Sequence, residues 1–179
     1  MKNTRFLLLL TLLAGAAFVG FRAIMVSEWT VVVEDVTITF EGKGVKGSVS
    51  GLEAEIKFSP ADLANSKLTA SVDANTLDTK SKLQTQHTKS EKWMDAEKYP
   101  TITFTSKEIR TTDDGYECVG DLNMHGVTKE ITMPFTFAEA ENGGTFTGVM
   151  TVAREDFNVG GGGKTAAEIT VTITVPVTG

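Results

Sequence analysis

The sequence has little of what several classes of protein require. It contains one cysteine, Cys118, so a single chain can form no disulfide and no cysteine metal cluster. It has four prolines, and this shortage, with abundant threonine, favours strands over a disordered chain. Acidic residues outnumber basic ones by 23 to 17, for a net charge of −6. Because no basic stripe is visible either, the sequence argues against a nucleic-acid partner.

The longest uncharged and mostly apolar run stands at the amino terminus. Two basic residues precede residues 6–21, and Ala14-Gly15-Ala16 offers small side chains for cleavage. The run is shorter than the roughly 20 residues of a membrane span, and its layout is that of a secretory signal peptide. We therefore expect a signal peptide over residues 1–23 and a periplasmic or secreted protein. An uncleaved membrane anchor, extended through residues 23–26, is the alternative.

After residue 27 the dominant hydrophobic period is two. Apolar residues alternate with Thr, Lys, Glu and Ser, which predicts strands with one buried and one wet face. Asp-Gly and Asn-Gly pairs at 114–115 and 142–143 indicate hairpins. Barrel closure would remove the exposed edges of such a sheet. We predict an all-β, antiparallel, roughly eight-stranded barrel, with a two-sheet sandwich as the alternative. The alternating segments are 36–40, 52–58, 68–74, 102–104, 116–124, 131–137, 146–152 and 169–177.

One helix is expected over residues 81–98, which form the longest segment without the two-residue alternation of the strands. Leu83 and His87 lie close to one helical face, and Trp93 sits beside it. Pro100 disfavours helix at the residue before it, so Asp95 to Lys98 should close the helix. We expect this helix to pack beside or over an opening of the barrel.

A second, shorter helix is expected at "SPADLA", residues 59–64. Ser59 suits the position that caps a helix, and Pro60 suits the first helical turn. Gly160 to Gly163 are interpreted as a flexible loop. The stretch "GGGGKT" is not a phosphate-binding loop, because Asn158 stands where that motif needs glycine and a strand follows it.

The sequence shows no clear catalytic or metal-binding constellation. His87 and His125 are the only histidines, and their spacing is not that of a metal-binding pair. No nucleophile elbow of the form G-x-S-x-G occurs. We expect no enzyme activity, no cofactor and no metal. His125, in "MHGVT", is interpreted as a turn residue, whereas His87 is a candidate for the mouth of the barrel.

Two further residues carry alternative interpretations. Cys118 falls at an inward strand position, so we expect a small core residue rather than a reactive thiol. Arg154 precedes Glu155 and Asp156 at a strand end. Arg154 could form a local ion pair with one of these carboxylates, which would be a structural role. Alternatively, it could contact the headgroup of a ligand.

The inward faces mix large and small residues. Large residues such as Phe104 and Met150 occur at inward positions, and so do small ones such as Ala70 and Gly120. A barrel of about eight strands is just wide enough to be filled by side chains or to hold one small ligand. Periodicity alone leaves both outcomes open.

Four stretches together resemble one family. They are "SVDANTLDTKSKLQTQHTKSEKWMDAEKYPTITFTS", "GDLNMHGVTKEITMPF", "VAREDFNVG" and "AAEITVTITVPV". Their order is similar to that of the YceI family of periplasmic proteins, lipocalin-like barrels that bind polyisoprenoids or other long-chain lipids. The resemblance covers about residues 28 to 177, so a barrel domain is expected over residues 28–179.

The sequence also departs from that family's pattern. Glu34 and Asp35 stand in the first hairpin where the family usually has a histidine. Gln84 and Thr85 replace the Arg-Asp that usually precedes the helix histidine, and His87 itself is retained.

The resemblance implies a protein that encloses an amphiphile in an apolar barrel. The ligand would be a polyisoprenoid, an isoprenoid quinone or a fatty-acid-like chain. Membrane proximity and a homodimer remain open. The candidate lining residues are Phe40, Val72, Leu77, Leu83, Trp93, Phe104, Met124, Phe135 and Met150, and the candidate mouth residues are Asp78, His87 and Arg154.

Two alternatives accompany this prediction. One is an enzyme that acts on a lipid with His87 as base, although the sequence shows no partner nucleophile or acid for it. The other is an interaction protein whose barrel is filled by its own side chains.

Overall fold

The computed structural model describes residues 26–160 and 167–179, and these form ten strands and one α-helix. The expected signal peptide and residues 161–163 of the glycine loop lie outside the described residues. The elements are β1 (Ser27–Val31), β2 (Thr37–Gly42), β3 (Val45–Val49), β4 (Glu53–Phe58), β5 (Lys67–Asp73), α1 (Lys82–Lys89), β6 (Thr101–Thr112), β7 (Gly115–Met124), β8 (Val127–Ala140), β9 (Gly143–Ala153) and β10 (Glu168–Thr178).

Eight of the strands close into an antiparallel barrel. Its order is β1, β4, β5, β6, β7, β8, β9 and β10, and β10 pairs with β1 to complete the ring. That closing contact joins Thr30 to Thr178 and Val31 to Val177. The predicted barrel is confirmed and the sandwich alternative is wrong, because ring closure pairs the strand edges that a sandwich would leave open.

The remaining two strands, β2 and β3, form a hairpin that leaves the ring at one end. A 3₁₀ turn, Val33–Asp35, separates β1 from β2, yet both strands pair with β10. On the other side, β3 pairs with β2 while β4 pairs with β1. The eight predicted segments correspond to eight of the ten strands, and β1 and β3 lie outside them.

The main helix is shorter than predicted. It spans Lys82–Lys89, with Ser81 as N-cap, and residues 91–98 form turns instead. The Ser90 hydroxyl donates to the His87 carbonyl at 2.7 Å, and Ser90 itself is extended. Asp95 then takes a positive φ of 44°. These local bonds end the helix well before Pro100.

The helix predicted at residues 59–64 is wrong. The structure has a single 3₁₀ turn, Leu63–Asn65, capped by the side chain of Asp62. Ser66 donates to the Asp62 carbonyl at 2.8 Å and accepts from the Ser59 backbone at 3.0 Å. These bonds hold the segment as a tight loop. In residues 26–160 and 167–179, no helix is long and apolar enough to cross a membrane.

The barrel is filled at the end away from the β2–β3 hairpin. Phe58 has no exposed surface, and four aromatic rings meet its ring edge-on at centroid distances of 5.1 to 5.6 Å. The Trp29 indole closes this end by donating to the Phe58 carbonyl at 2.9 Å. Edge-to-face pairs at such distances are favourable arrangements of aromatic rings. The four rings belong to Tyr116, Phe135, Phe137 and Phe146.

A second apolar cluster lines the other half of the barrel, beneath α1 and the turns that follow it. Its buried members include Leu77 and Met94, which come before and after α1 in the chain, and Leu122 and Val152 from β7 and β9. Side chains of this cluster surround a space instead of meeting at the centre. The barrel therefore has a filled half and a hollow half.

Candidate binding cavity

The hollow half contains a cavity of about 330 Å³. Its walls are built by the inward faces of β2, β3, β5, β6, β7, β9 and β10, and α1 and the β2–β3 turn frame its opening. The wall is almost entirely apolar. The apolar lining residues are Ile38, Phe40, Val45, Val49, Leu52, Ala70, Val72, Leu77, Trp93, Met94, Ile102, Phe104, Leu122, Met124, Met150, Val152, Val159, Ile169, Val171 and Ile173.

The structure brings most of the predicted site residues together around this cavity. Nine of the twelve candidates lie on its wall: Phe40, Val72, Leu77, His87, Trp93, Phe104, Met124, Met150 and Arg154. The other three, Asp78, Leu83 and Phe135, lie elsewhere.

Leu83 and Phe135 are not lining residues, for different reasons. The side chain of Leu83 is 78% exposed, because α1 turns this face away from the barrel. Phe135 does point inward, but it belongs to the filled half, where its ring stacks on Tyr116 at 5.3 Å. The alternation along a strand predicts which side chains point inward, but it does not predict whether they lie in the filled or the hollow half of the barrel.

Asp78 supports the loop before α1 and does not line the cavity. Its carboxylate accepts from the Lys80 backbone N–H at 2.8 Å and from the Thr85 hydroxyl at 3.3 Å. The Lys80 N–H is the main cause that lowers the pKa of Asp78, against a partial desolvation that raises it. The residue therefore fixes the entry into the helix.

Arg154 gives the cavity a polar end. Its side chain is buried, and its Nη1 donates to the Val159 carbonyl at 2.7 Å. Nη2 lies 3.7 Å from the exposed carboxylate of Glu155, so the predicted local ion pair is present. The guanidinium also lies over Trp93, with Cζ 5.4 Å from the ring centroid. Among the described lining residues, Arg154 is the one with a permanent charge.

Trp93 connects this arginine to the helix. Its indole Nε1–H donates to Nε2 of His87 at 2.6 Å. The acceptor must be an unprotonated ring nitrogen, so the proton of the neutral imidazole sits on Nδ1. His87 is partly at the surface and partly on the cavity wall.

Gly160 makes the position of Trp93 feasible. It has a positive φ of 72°, and a Cβ there would lie 2.6 Å from Cε3 of the indole. Only glycine combines this backbone conformation with such a close ring contact. The start of the glycine-rich stretch thus has a packing role beside the cavity.

Gly120 shows that a small inward residue does not always leave room for a ligand. A Cβ on Gly120 would lie 2.6 Å from Cζ of Phe104, on the neighbouring strand. The far edge of the Phe104 ring therefore occupies the space that a side chain at position 120 would take. This arrangement keeps the ring against the wall and leaves the centre of the barrel open.

Sequence reasoning missed the polar residues that frame the opening. Gln84 and Thr88 of α1 and Gly44 of the β2–β3 turn all line it. Gln84 Nε2 donates to the Gly44 carbonyl at 2.9 Å and joins the two elements. Their separation along the chain gives no local signal for this contact. The missed wall residues, such as Ile102 and Val171, do follow the inward alternation.

The remaining candidates behave as expected from their local sequence. Cys118 is fully buried, and burial raises the pKa of its thiol to about 12. His125 occupies the β7–β8 turn with a φ of 53°, and its Nδ1 lies 3.1 Å from the Phe157 carbonyl. Both predicted roles are confirmed. Among residues 26–160 and 167–179, no group of His, Cys, Asp and Glu is arranged to hold a metal ion.

Comparison with known proteins gives concordant results. Residues 29–177 match the family model of the YceI-like domain. A UPF0312 protein of Vibrio cholerae serotype O1 is 33% identical over 122 residues, which cover 64% of this chain and 65% of that protein. The match therefore spans slightly less than two thirds of the relative's length.

Solved structures share the fold. BcnA of Burkholderia cenocepacia superimposes with a TM-score of 0.77 at 27% identity, over 83% of this chain and 99% of that one. A polyisoprenoid binding domain from Saccharophagus degradans has a TM-score of 0.62 at 11% identity, over 84% of this chain and 97% of that one. The second likeness is one of fold alone.

Proposed function

The chain belongs to the YceI-like family, and from this premise we propose that it binds a long-chain amphiphile in the hollow half of its barrel. The observation that carries the proposal is the cavity of about 330 Å³ with an apolar wall and one buried arginine. Cavities for small molecules generally measure about 300 to 1,000 Å³ and combine an apolar lining with few polar groups. The space suits one apolar chain.

The apolar wall supplies the binding energy in this proposal. Each methylene group moved from water into the cavity contributes roughly 0.8 kcal/mol. A chain of ten or more carbons therefore needs few polar contacts, which agrees with a family member that has lost the Arg-Asp pair before His87. The aliphatic and methionine side chains of the wall adapt to a flexible chain.

The polar end of the cavity orients the ligand. Arg154 and Trp93 lie beside His87 at the same end, close to the opening framed by α1. We place the polar or anionic headgroup there and the chain toward the filled half. An isoprenoid or a fatty-acid-like chain meets this requirement, and the polyisoprenoid binding domain with the same fold agrees with that choice.

Binding without turnover is part of the proposal. A general base needs a free lone pair within reach of its substrate. The Nε2 lone pair of His87 accepts the Trp93 indole N–H at 2.6 Å, so this histidine serves to position Trp93. We also propose that the protein acts outside the cytoplasm, which the signal-like layout of residues 6–21 supports.

A cavity-filling variant tests the proposal. Val171→Trp places an indole inside the cavity, whereas Thr170→Trp places the same group on the exposed outer face of the same strand. Protein stripped of lipid is titrated with cis-parinaric acid, a fluorescent fatty acid. We expect saturable binding by the wild type and by Thr170→Trp, and at least tenfold weaker binding by Val171→Trp. Equal binding by both variants would contradict a site in the barrel.

A further inference from the structure

The charge of this acidic chain is unevenly distributed around the cavity opening. We define the mouth rim as residues 41–47, at the β2–β3 turn, and residues 78–84, at the start of α1. The rim contains four lysines, Lys43, Lys46, Lys80 and Lys82, against the two carboxylates Glu41 and Asp78. The whole chain carries a net charge of −6. The rim is therefore a basic surface on an acidic molecule.

The two segments of the rim are held side by side. The backbones of Ser48 and Asp78 exchange hydrogen bonds of 2.8 and 2.9 Å. Gln84 adds its hydrogen bond to the Gly44 carbonyl. The two segments that carry the lysines thus border one opening, and all four lysines are exposed.

The two carboxylates offset part of this charge and leave the rim with a net positive charge. The Asp78 carboxylate faces its own loop, where the Lys80 N–H and the Thr85 hydroxyl bind it, and the Lys80 ammonium lies 3.6 Å away. Glu41 stands opposite Lys46 on the hairpin. Lys43 and Lys82 remain as the exposed basic groups at the two sides of the opening.

An exposed leucine lies in the middle of this basic surface. Leu83 follows Lys82 on α1 and, at 78%, is the most exposed large apolar residue in the part of the chain that the structure describes. Gln86, three residues further on, shares its outward face, and both Gln86 and the preceding Lys82 are exposed. A short helical face that combines lysines with an exposed leucine is suited to the interface of a bilayer, where the apolar side chain inserts and the amines meet phosphates.

We propose that the mouth rim docks on the surface of an anionic lipid bilayer, with the cavity opening turned toward the membrane. Lys43, Lys46, Lys80 and Lys82 contact lipid phosphates, and Leu83 enters the headgroup region. The acidic remainder of the chain is repelled by the same surface, so the charge distribution selects this orientation. The inference goes beyond the proposed function and does not require a ligand in the cavity.

A fluorescent reporter on the rim tests the docking surface. Cys118 is buried with a raised thiol pKa, so a cysteine introduced at the surface can be labelled selectively with the dye NBD. The full chain carrying Gln86→Cys reports on the rim, and Val149→Cys reports on the side of the barrel, where Val149 is 46% exposed. The probes are vesicles of phosphatidylcholine with and without phosphatidylglycerol.

The expected result is a blue shift and an intensity rise of NBD at position 86 with the phosphatidylglycerol vesicles, and no change at position 149. In the position-86 background, Lys43→Gln and Lys82→Gln should each weaken partitioning about fivefold, since one basic residue near an anionic surface contributes about 1 kcal/mol. Lys67→Gln, at the filled end, is the matched control and should have no effect.

Three outcomes overturn the proposal: no response at position 86, an equal response at positions 86 and 149, or an equal response to vesicles without phosphatidylglycerol. Partitioning of the position-86 protein that is not weakened by Lys43→Gln or Lys82→Gln would also contradict it. This test is independent of the cavity, because a protein that fails to bind parinaric acid can still dock, and one that binds it can fail to dock.

Discussion

At the scale of single residues, Trp93 holds the cavity's polar end in place. Its indole N–H is bound by His87, its ring face meets Arg154, and Gly160 gives the space for its edge. Each neighbour makes a different kind of contact: α1 supplies His87, and the loop after β9 supplies Arg154 and Gly160. The position of the arginine in the wall therefore depends on a tryptophan that is itself held by a histidine.

Removing the histidine should release this tryptophan. In His87→Ala, the Trp93 indole N–H loses its acceptor, and we expect its NMR resonance to shift and to exchange faster with water. The loss of one hydrogen bond should lower the free energy of unfolding by about 1 kcal/mol. Gln86→Ala, the preceding residue on the outer face of α1, is the control and should leave both indole resonances unchanged.

The buried thiol gives a second test at this scale. With a pKa of about 12, roughly one Cys118 thiol in 10,000 is ionised at pH 8. We expect no labelling by iodoacetamide in the folded protein at that pH and stoichiometric labelling in denaturant. Rapid labelling of the folded protein would show that β7 does not hold this residue in the core.

At the scale of elements, α1 closes the cavity with few bonds of its own. It has eight residues, fewer than an isolated helix needs for stability in water. Its contact with the β2–β3 turn is the hydrogen bond from Gln84 to Gly44. The helix and the hairpin together therefore form the border of the opening.

Breaking that contact should change access to the cavity more than stability. For Gln84→Ala we expect faster amide hydrogen exchange in α1 and a faster off-rate of parinaric acid, with a change in unfolding free energy of less than about 1 kcal/mol. Gln86→Ala again serves as the control. Unchanged exchange and release rates in Gln84→Ala would show that the contact does not restrain the helix.

The sequence predicted the strands better than the helical segment, for physical reasons. Side chains of a strand point inward and outward in turn, so the local sequence is enough to predict that Ile102 and Phe104 point into the barrel. The end of α1 depends on the Ser90 side chain and on the positive φ of Asp95, which no periodicity reveals. The exposed position of Leu83 likewise follows from how the helix is rotated against the barrel.

Two features of the site also required the folded chain. The alternation placed Phe135 and Met124 correctly inside the barrel, but only the strand register assigns them to opposite halves. The buried state of Arg154 depends on Trp93 and on the Val159 carbonyl. Such contacts between distant segments are set by topology, and topology is not encoded in a local pattern.

At the scale of the whole molecule, one half of the barrel stabilises the fold and the other half encloses the proposed binding cavity. The aromatic cluster around Phe58 supplies close packing at one end. The wall of the other end faces an open space and makes fewer contacts across it. Because voids cost packing energy, the filled half must stabilise the fold while the hollow half stays available.

Truncating a large side chain to alanine should therefore lower the free energy of unfolding more in the filled half than in the hollow half. Phe58→Ala removes a fully buried ring and should destabilise the protein by about 3–5 kcal/mol. Met150→Ala, on the cavity wall, should cost less than about 2 kcal/mol, since part of its surface already faces empty space. Urea unfolding followed by circular dichroism measures both, and equal costs would argue against the division into halves.

The measurement that tests the central claim most directly is native mass spectrometry of the protein purified, without detergent, from the cells that make it. We expect a complex heavier than the polypeptide by one amphiphile, which organic extraction releases as a long-chain isoprenoid or acyl compound. Val171→Trp purified in parallel should carry none, whereas Thr170→Trp should carry the same ligand as the wild type. Wild-type protein that is recovered only in its empty form, from cells whose membranes supply such lipids, would contradict the claim that this barrel is a lipid-binding cavity.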